Sequence, residues 1–210
     1  MEITFYGAGC VLINTKKLKV LVDPLSGEYG PNPKVKADVV LFTQQPTKDI
    51  NATSKTAITM PGEYEVQSVN IEGVAARLHA EEDDNVHESV MYSVAYNGVR
   101  AIVTGNIYPE ISDEQAERLD GADVLIVPVG GGGLAPDKES ASSLVRQFDP
   151  SYVIPVHYND EKTDYPVPQA PISEFLSEVG ASDTESQSSL KVSSRDSSDQ
   201  TQYAVLDAAK

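Results

Sequence analysis

Cysteine is nearly absent from this chain. Cys10 stands alone in 210 residues, which excludes an intramolecular disulfide framework and any multi-thiolate zinc site. Histidine is scarce too, with three residues, His79, His87 and His157. Basic charge is short: 16 Lys and Arg face 32 Asp and Glu, a net charge of −16. That balance argues against nucleic acid as the main partner, because phosphate binding needs a basic footprint. It argues equally against an anionic membrane surface. No apolar run approaches the ~20 residues of a membrane span. The opening Met1-Glu2-Ile3-Thr4-Phe5 has neither a basic n-region nor an apolar h-region, so a cytoplasmic protein without a signal peptide is expected. No Gly-x-Ser-x-Gly elbow and no Gly-Lys-Ser/Thr of a P-loop occur, which removes two common routes to hydrolysis and phosphate binding.

What is present is an ordinary proportion of hydrophobic residues, 40%, with 23% charged, enough to build one sizeable core. A single domain over 1–210 is expected. Short β-prone runs crowd the first half: Ile3–Tyr6, Cys10–Ile13, Leu18–Asp23, Asp38–Thr43, Thr56–Met60, Val69–Leu78, Ser89–Ala95 and Val99–Thr104. Asn97-Gly98 marks a tight hairpin between the last two. Helix and strand then alternate. Helices are predicted over Asp113–Leu119, with Ser112 as N-cap, over Asp137–Phe148, and over Ile172–Val179 ending at Gly180. Strands are predicted at Asp123–Val129 and Tyr152–Val156, and a closing hairpin from Leu190–Val192 and Tyr203–Leu206. Residues 182–189 are rich in Ser, Asp, Glu and Gln and read as a solvated, flexible connector. The order predicts a layered α/β domain.

Taken alone, the motifs carry modest chemistry. Gly130–Gly133 follows a buried strand and precedes a helix; it reads as a phosphate cradle or, more simply, a strand-to-helix turn. Pro61-Gly62-Glu63-Tyr64 reads as a turn. Cys10 lies in an apolar strand with no cation close in sequence to lower its pKa, the setting of an inert thiol. His87 sits in an acidic loop and reads as solvated. His79 and His157 each end a strand, where layered α/β folds place site residues.

The order of fragments resembles the metallo-β-lactamase-fold hydrolases. Ile3–Ile13, with its Gly7-Ala8-Gly9-Cys10 turn, is similar to that family's opening strands. Val20-Leu21-Val22-Asp23-Pro24 looks like its strand ending in Asp-Pro, and Asp38–Thr43 like the strand that delivers the metal motif. Pro61–Val66, Asp123–Gly133 and Ile154-Pro155-Val156-His157-Tyr158 resemble the lactonase-like branch of ascorbate-6-phosphate lactonase relatives. The resemblance spans nearly the whole chain. It implies a four-layer αβ/βα sandwich with a site along one edge.

The same resemblance implies a degenerate site. The family's His-x-His-x-Asp-His motif corresponds in placement to Gln44-Gln45-Pro46-Thr47-Lys48-Asp49. Gln44 and Pro46 stand for the first two histidines, Lys48 for the aspartate and Asp49 for the last histidine. His79 and His157 match the family's downstream histidines, and Asn106 of Gly105-Asn106 replaces its bridging aspartate. The implied pocket is Gln44, Lys48, Asp49, His79, Asn106 and His157. A catalytic zinc takes three protein donors and one open position, and amides are poor donors beside carboxylates. No catalytic residue is assigned. The expectation is a catalytically silent binding or interaction module with no cofactor, its partner a small molecule or a protein. Lys48 is a candidate to replace part of the lost positive charge, paired with Asp49 or an anion; the simpler alternative is a solvent-facing side chain. The competing expectation is a lactonase- or phosphoesterase-like hydrolase with a rearranged or mononuclear zinc or manganese site. That site would draw on His79, His157 and Asp49, or on Glu81, Glu82 and Asp83. A homo-oligomer is compatible with either.

Overall fold

Strict alternation of side chains divides the first strands between two apolar faces. In the computed structural model, which describes residues 1–24, 29–46, 56–80, 88–194 and 200–209, β1 (Glu2–Gly7), β2 (Cys10–Asn14), β3 (Lys19–Val22), β4 (Val39–Leu41) and β5 (Thr56–Ile58) follow one another. Ile3, Phe5, Val11, Ile13, Val20, Val22, Val39 and Leu41 face the main core. Cys10, Leu12, Leu21 and Val40 point to the other side of the same sheet, where Val35, Ala37 and Phe42 cover them. Both faces are therefore apolar, which explains why these strands read as continuous hydrophobic runs.

The second sheet is built from β6 (Gly62–Val66), β7 (Val69–Ala76), β8 (Ser89–Tyr96), β9 (Val99–Val103), β10 (Val124–Pro128) and β11 (Tyr152–Val156). Helices α1 (Asp113–Arg118), α2 (Lys138–Phe148) and α3 (Ile172–Glu178) occur in this half of the chain. Four short strands complete the fold: β12 (Ser186–Gln187), β13 (Leu190–Lys191), β14 (Gln202–Tyr203) and β15 (Val205–Leu206). The first sheet has the order β13-β1-β2-β3-β4-β5 and the second β14-β11-β10-β9-β8-β7-β6. The two share one hydrophobic core, which α2 joins through Ala141, Leu144, Val145 and Phe148. This is the expected mixed α/β sandwich.

Several details differ from the sequence reading. Gly62-Glu63-Tyr64 lies in the edge strand β6 and not in a turn; its five residues pair antiparallel with β7. The Pro-Gly signal marks only the entry to that strand. The expected closing hairpin does not form. Leu190 and Lys191 pair with β1, whereas Gln202 and Tyr203 pair with β11, because Leu190 and Tyr203 pack on different sheets. Within 182–189 the side chains are mostly exposed, as expected of a connector, yet Ser186 and Gln187 pair in parallel with β15. No helix among the described residues is long and apolar enough to cross a membrane.

Candidate functional site

Parallel pairing brings chain ends to one edge. β3 pairs parallel with β4, and β10 pairs parallel with β9 and β11. Strands that run together release their loops at the same end, the usual place for a site in such sheets. Asp23, Thr43, Gly105-Asn106, Gly130 and His157 all lie just beyond those strand termini.

Asp23 and Thr43 form the buried anchor of this edge. One Asp23 carboxylate oxygen accepts from the Thr43 backbone N–H at 2.7 Å, and the other accepts from its hydroxyl at 2.6 Å. Burial pushes the Asp23 carboxyl up to about 6, although both Thr43 bonds favour the charged form. The Thr43 carbonyl accepts from the Ser89 hydroxyl at 2.9 Å and from the Val90 N–H at 2.8 Å, tying the two sheets together. Gly105 closes the clamp with φ +66°; a β-carbon there would lie 2.5 Å from the Thr43 β-carbon. Only glycine fits such a contact. Gln44, the next residue, bridges to Ser89.

His157 is the more enclosed of the two described imidazoles. It is fully buried and sits at φ +52°, a left-handed conformation that histidine adopts more readily than most residues. Its N–H donates to the Ala8 carbonyl at 2.7 Å, a second link between the sheets. Its ring lies 4.9 Å from the Tyr165 ring and 6.0 Å from that of Tyr29, centroid to centroid. The Tyr29 hydroxyl stands 3.4 Å from Nε2. Burial pushes the imidazole down to about 4, so it is neutral at pH 7. The glycine loop is explained by this packing. A β-carbon on Gly130 would lie 2.3 Å from the His157 carbonyl oxygen and 2.7 Å from Gln169 Oε1, and one on Gly132 would lie 2.7 Å from Gln169 Nε2. Gly130 and Gly132 are needed so that Gln169 can lie against this edge. The N-terminus of α2 that follows is already capped by Asp137, whose Oδ1 accepts from the Ser140 N–H at 2.9 Å.

His79 is half-buried on the other side. Its N–H donates to the Asn106 carbonyl at 2.8 Å, so the predicted pair His79 and Asn106 is brought together. The nearest aromatic ring is that of Tyr108, 6.3 Å away, and Tyr108 also carries the Arg77 guanidinium 3.9 Å above its ring. Burial lowers the His79 pKa, while the negative charge of Asp137 works against the shift. The two imidazoles thus have different neighbours: Tyr108 for His79, Tyr29 and Tyr165 for His157.

The donor set can be tested against a metal. Among the described residues, no three of His, Cys, Asp and Glu stand close enough to hold an ion. Pro46 has no donor atom, and Gln44 and Asn106 offer neutral amides. Asp23 has both oxygens engaged by Thr43, and Cys10 is buried with its thiol pushed well up by desolvation. The described residues do not fit a dinuclear zinc centre. Lys48 and Asp49 lie outside the described residues, as do Glu81, Glu82, Asp83 and His87. Sequence reasoning missed Tyr29, Tyr165 and Gln169 at this edge. No local signal marks the two tyrosines; the close-packed glycines at 130 and 132 were the one hint of a side chain such as Gln169 lying on them.

Two facing sheets with a site at their common C-terminal edge define a metallo-β-lactamase-type sandwich. Residues 2–157 match the family model of the beta-lactamase superfamily domain, and the chain belongs to that family. The UPF0173 protein of Pyrococcus abyssi is 24% identical over 185 residues, 75% of this chain and 83% of that protein. A structure from Thermotoga maritima, described as a candidate Zn-dependent hydrolase of the metallo-beta-lactamase superfamily, aligns at TM-score 0.77 and 22% identity, covering 98% of this chain and 97% of that one. A candidate metal-dependent hydrolase from Parabacteroides distasonis aligns at TM-score 0.66 and 20% identity, covering 98% and 93%. These likenesses define the superfamily and not the lactonase-like branch within it.

Proposed function

We propose that this chain keeps the hydrolase scaffold as a binding module and does not run two-metal hydrolysis. The observation that carries the reading is the chemistry of the donor positions. At the motif edge Gln44, Pro46 and Asn106 replace groups that would grip a dication. Of the two described imidazoles that remain, His157 is buried and neutral, with the Tyr29 hydroxyl 3.4 Å from its Nε2, and His79 is half-buried beside Tyr108. Without metal to lower the pKa of bound water, the family's hydroxide nucleophile is not generated near neutral pH. The binding surface in this reading is the edge carrying the partly exposed Tyr29, Gln44, His79 and Tyr165, with Asn106 and His157 buried beneath it. Its occupant is a small molecule or a protein segment.

The competing reading, a mononuclear zinc or manganese hydrolase, is favoured by the survival of both His79 and His157 at strand ends. Metal analysis separates the two. Protein purified without added metal is expected to carry far less than one ion per chain and to show no saturable thermal shift with zinc or manganese. A stoichiometric ion, or a saturable stabilisation abolished by His79→Ala, overturns the proposal.

A further inference from the structure

Positive charge is concentrated in one stretch of this acidic chain. Lys16, Lys17, Lys19, Lys34 and Lys36 fall within residues 16–36, against Asp23 and Glu28. The fold turns that stretch into a surface. Lys16, Lys17, Lys19 and Lys36 line one shallow depression of about 290 Å³ with Asn14, Leu18 and Asp38. All four lysines are exposed. Asp38 Oδ2 accepts from the Lys19 backbone N–H at 2.8 Å.

The depression continues into a larger one. Lys16 also lines a cavity of about 770 Å³ together with Met1, Tyr96, Val99, Lys191 and Val192. Lys191 reaches Glu2 at 3.7 Å, but both side chains are substantially exposed. The second cavity therefore combines the apolar Met1, Tyr96, Val99 and Val192 with polar Asn14, Asn97, Ser193 and Ser194, the Lys16 cation, and a Lys191 cation paired with the Glu2 carboxylate that also lines it. Its volume is in the range that takes a side chain or small ligand.

This surface is separate from the candidate site. Asn14 pairs with Lys19 at one end of β2 and β3, whereas Val11 pairs with Val22 at the other. Asp23 follows Val22, and Asp38 precedes β4 while Thr43 follows it. The lysines occupy the opposite strand ends from the edge that carries Asp23, Thr43 and His157.

We propose that the surface formed by Lys16, Lys17, Lys19 and Lys36 with the cavity walled by Met1, Tyr96, Val99 and Val192 docks an acidic protein segment bearing an apolar anchor residue. Carboxylates of the segment lie over the lysines, and the anchor enters the cavity beside Lys16. An extended nucleic acid is disfavoured because it would run off the patch onto a chain of net charge −16, which repels any long polyanion. A short segment feels mainly the charges within a Debye length of about 8–10 Å. Lysines, unlike arginines, act as point charges without a fixed fork, which suits a segment of variable geometry.

Fluorescence anisotropy tests this with the whole chain and a fluorescein-labelled decapeptide of Asp and Glu with one central Leu. Saturable binding is expected, falling several-fold between 50 and 300 mM NaCl. The variant Lys16→Glu/Lys17→Glu/Lys36→Glu is expected to bind at least about tenfold more weakly by loss of charge complementarity, with its thermal midpoint unchanged within a few degrees. A peptide with Leu replaced by Ser is expected to bind more weakly to the unaltered chain. Absence of saturable binding, equal binding by the charge-reversed variant, equal binding of the Ser peptide, or tighter binding of a labelled single-stranded DNA decamer each overturns the proposal. Because the three substituted lysines are exposed, a second reversal, Lys19→Glu/Lys191→Glu, provides the same test if the triple variant does not fold.

Discussion

Asp23 and His157 should impose opposite pH dependences on stability, and two substitutions expose them separately. Burial raises the Asp23 carboxyl from 3.8 to about 6. Between those values the folded chain holds a proton that the unfolded chain has released. Its contribution is complete below 3.8 and lost as pH rises through 6. Burial lowers the His157 imidazole from 6.5 to about 4. Here the unfolded chain holds the extra proton, so the contribution is present above 6.5 and lost as pH falls through 4. At about 1.4 kcal/mol per pH unit per proton, each group changes stability by roughly 2–3 kcal/mol between pH 4 and 7, with opposite signs. In the unaltered protein these two slopes nearly cancel. Asp23→Asn removes one arm, and relative to the unaltered protein it should lose roughly 2–3 kcal/mol on acidification from pH 7 to 4. His157→Asn, which tolerates the left-handed backbone, should gain a similar amount over the same range. The assay is urea unfolding in steps across that range, with each variant compared with the unaltered chain so that the many exposed carboxylates cancel. Differences that stay flat within about 0.5 kcal/mol, or that slope the same way for both variants, would refute the reasoning.

Two further substitutions probe the scaffold. Gly105→Ala should lower the melting temperature by roughly 4–20 °C, because a left-handed alanine costs about 1–2 kcal/mol and overlap with the clamped Thr43 adds roughly 1–3 more, at about 2–4 °C per kcal/mol for a chain of this size. Gly121→Ala is the control: its φ is +76° but nothing lies within 4 Å of a β-carbon, so scanning calorimetry should show a clearly smaller loss. Ser112→Ala removes a capping box in which the Ser112 hydroxyl accepts from the Gln115 N–H at 3.2 Å and the Gln115 side chain accepts from the Ser112 N–H at 2.8 Å. About 1 kcal/mol of stability should be lost, read as a lower urea midpoint with an unchanged slope.

Much of the fold was legible because its signals are local. Continuous apolar runs such as Asp123–Val129 and Tyr152–Val156 announced buried strands, and the structure places β10 and β11 there, each with four hydrophobic residues and one proline. Ser112 and Gly180 marked helix ends, and Asn97-Gly98, both at positive φ, marked a hairpin. The short C-terminal strands misled because two-residue ladders carry no periodicity. Whether Leu190 and Tyr203 pair with each other or with β1 and β11 depends on partners 187 and 50 residues away, Ile3 and Val153, and on the packing surface each finds. Gly62–Val66 was hidden because only one of its faces is needed at the sheet edge.

By itself, then, the order of residues determined which donors the chain has to offer: a single thiol, three imidazoles, and neutral amides at Gln44 and Asn106 with a proline at 46. Residue identity decides donor capacity, and no folding changes it. Only the tertiary structure decided what the surviving groups face. Tyr29 and Tyr165 meet His157 across sequence separations that no local pattern records, and Asp23 becomes a buried carboxyl at about 6 through enclosure by residues from both sheets. Burial and the choice of neighbour are properties of the packed chain, so the protonation states of Asp23 and His157 could be read only there.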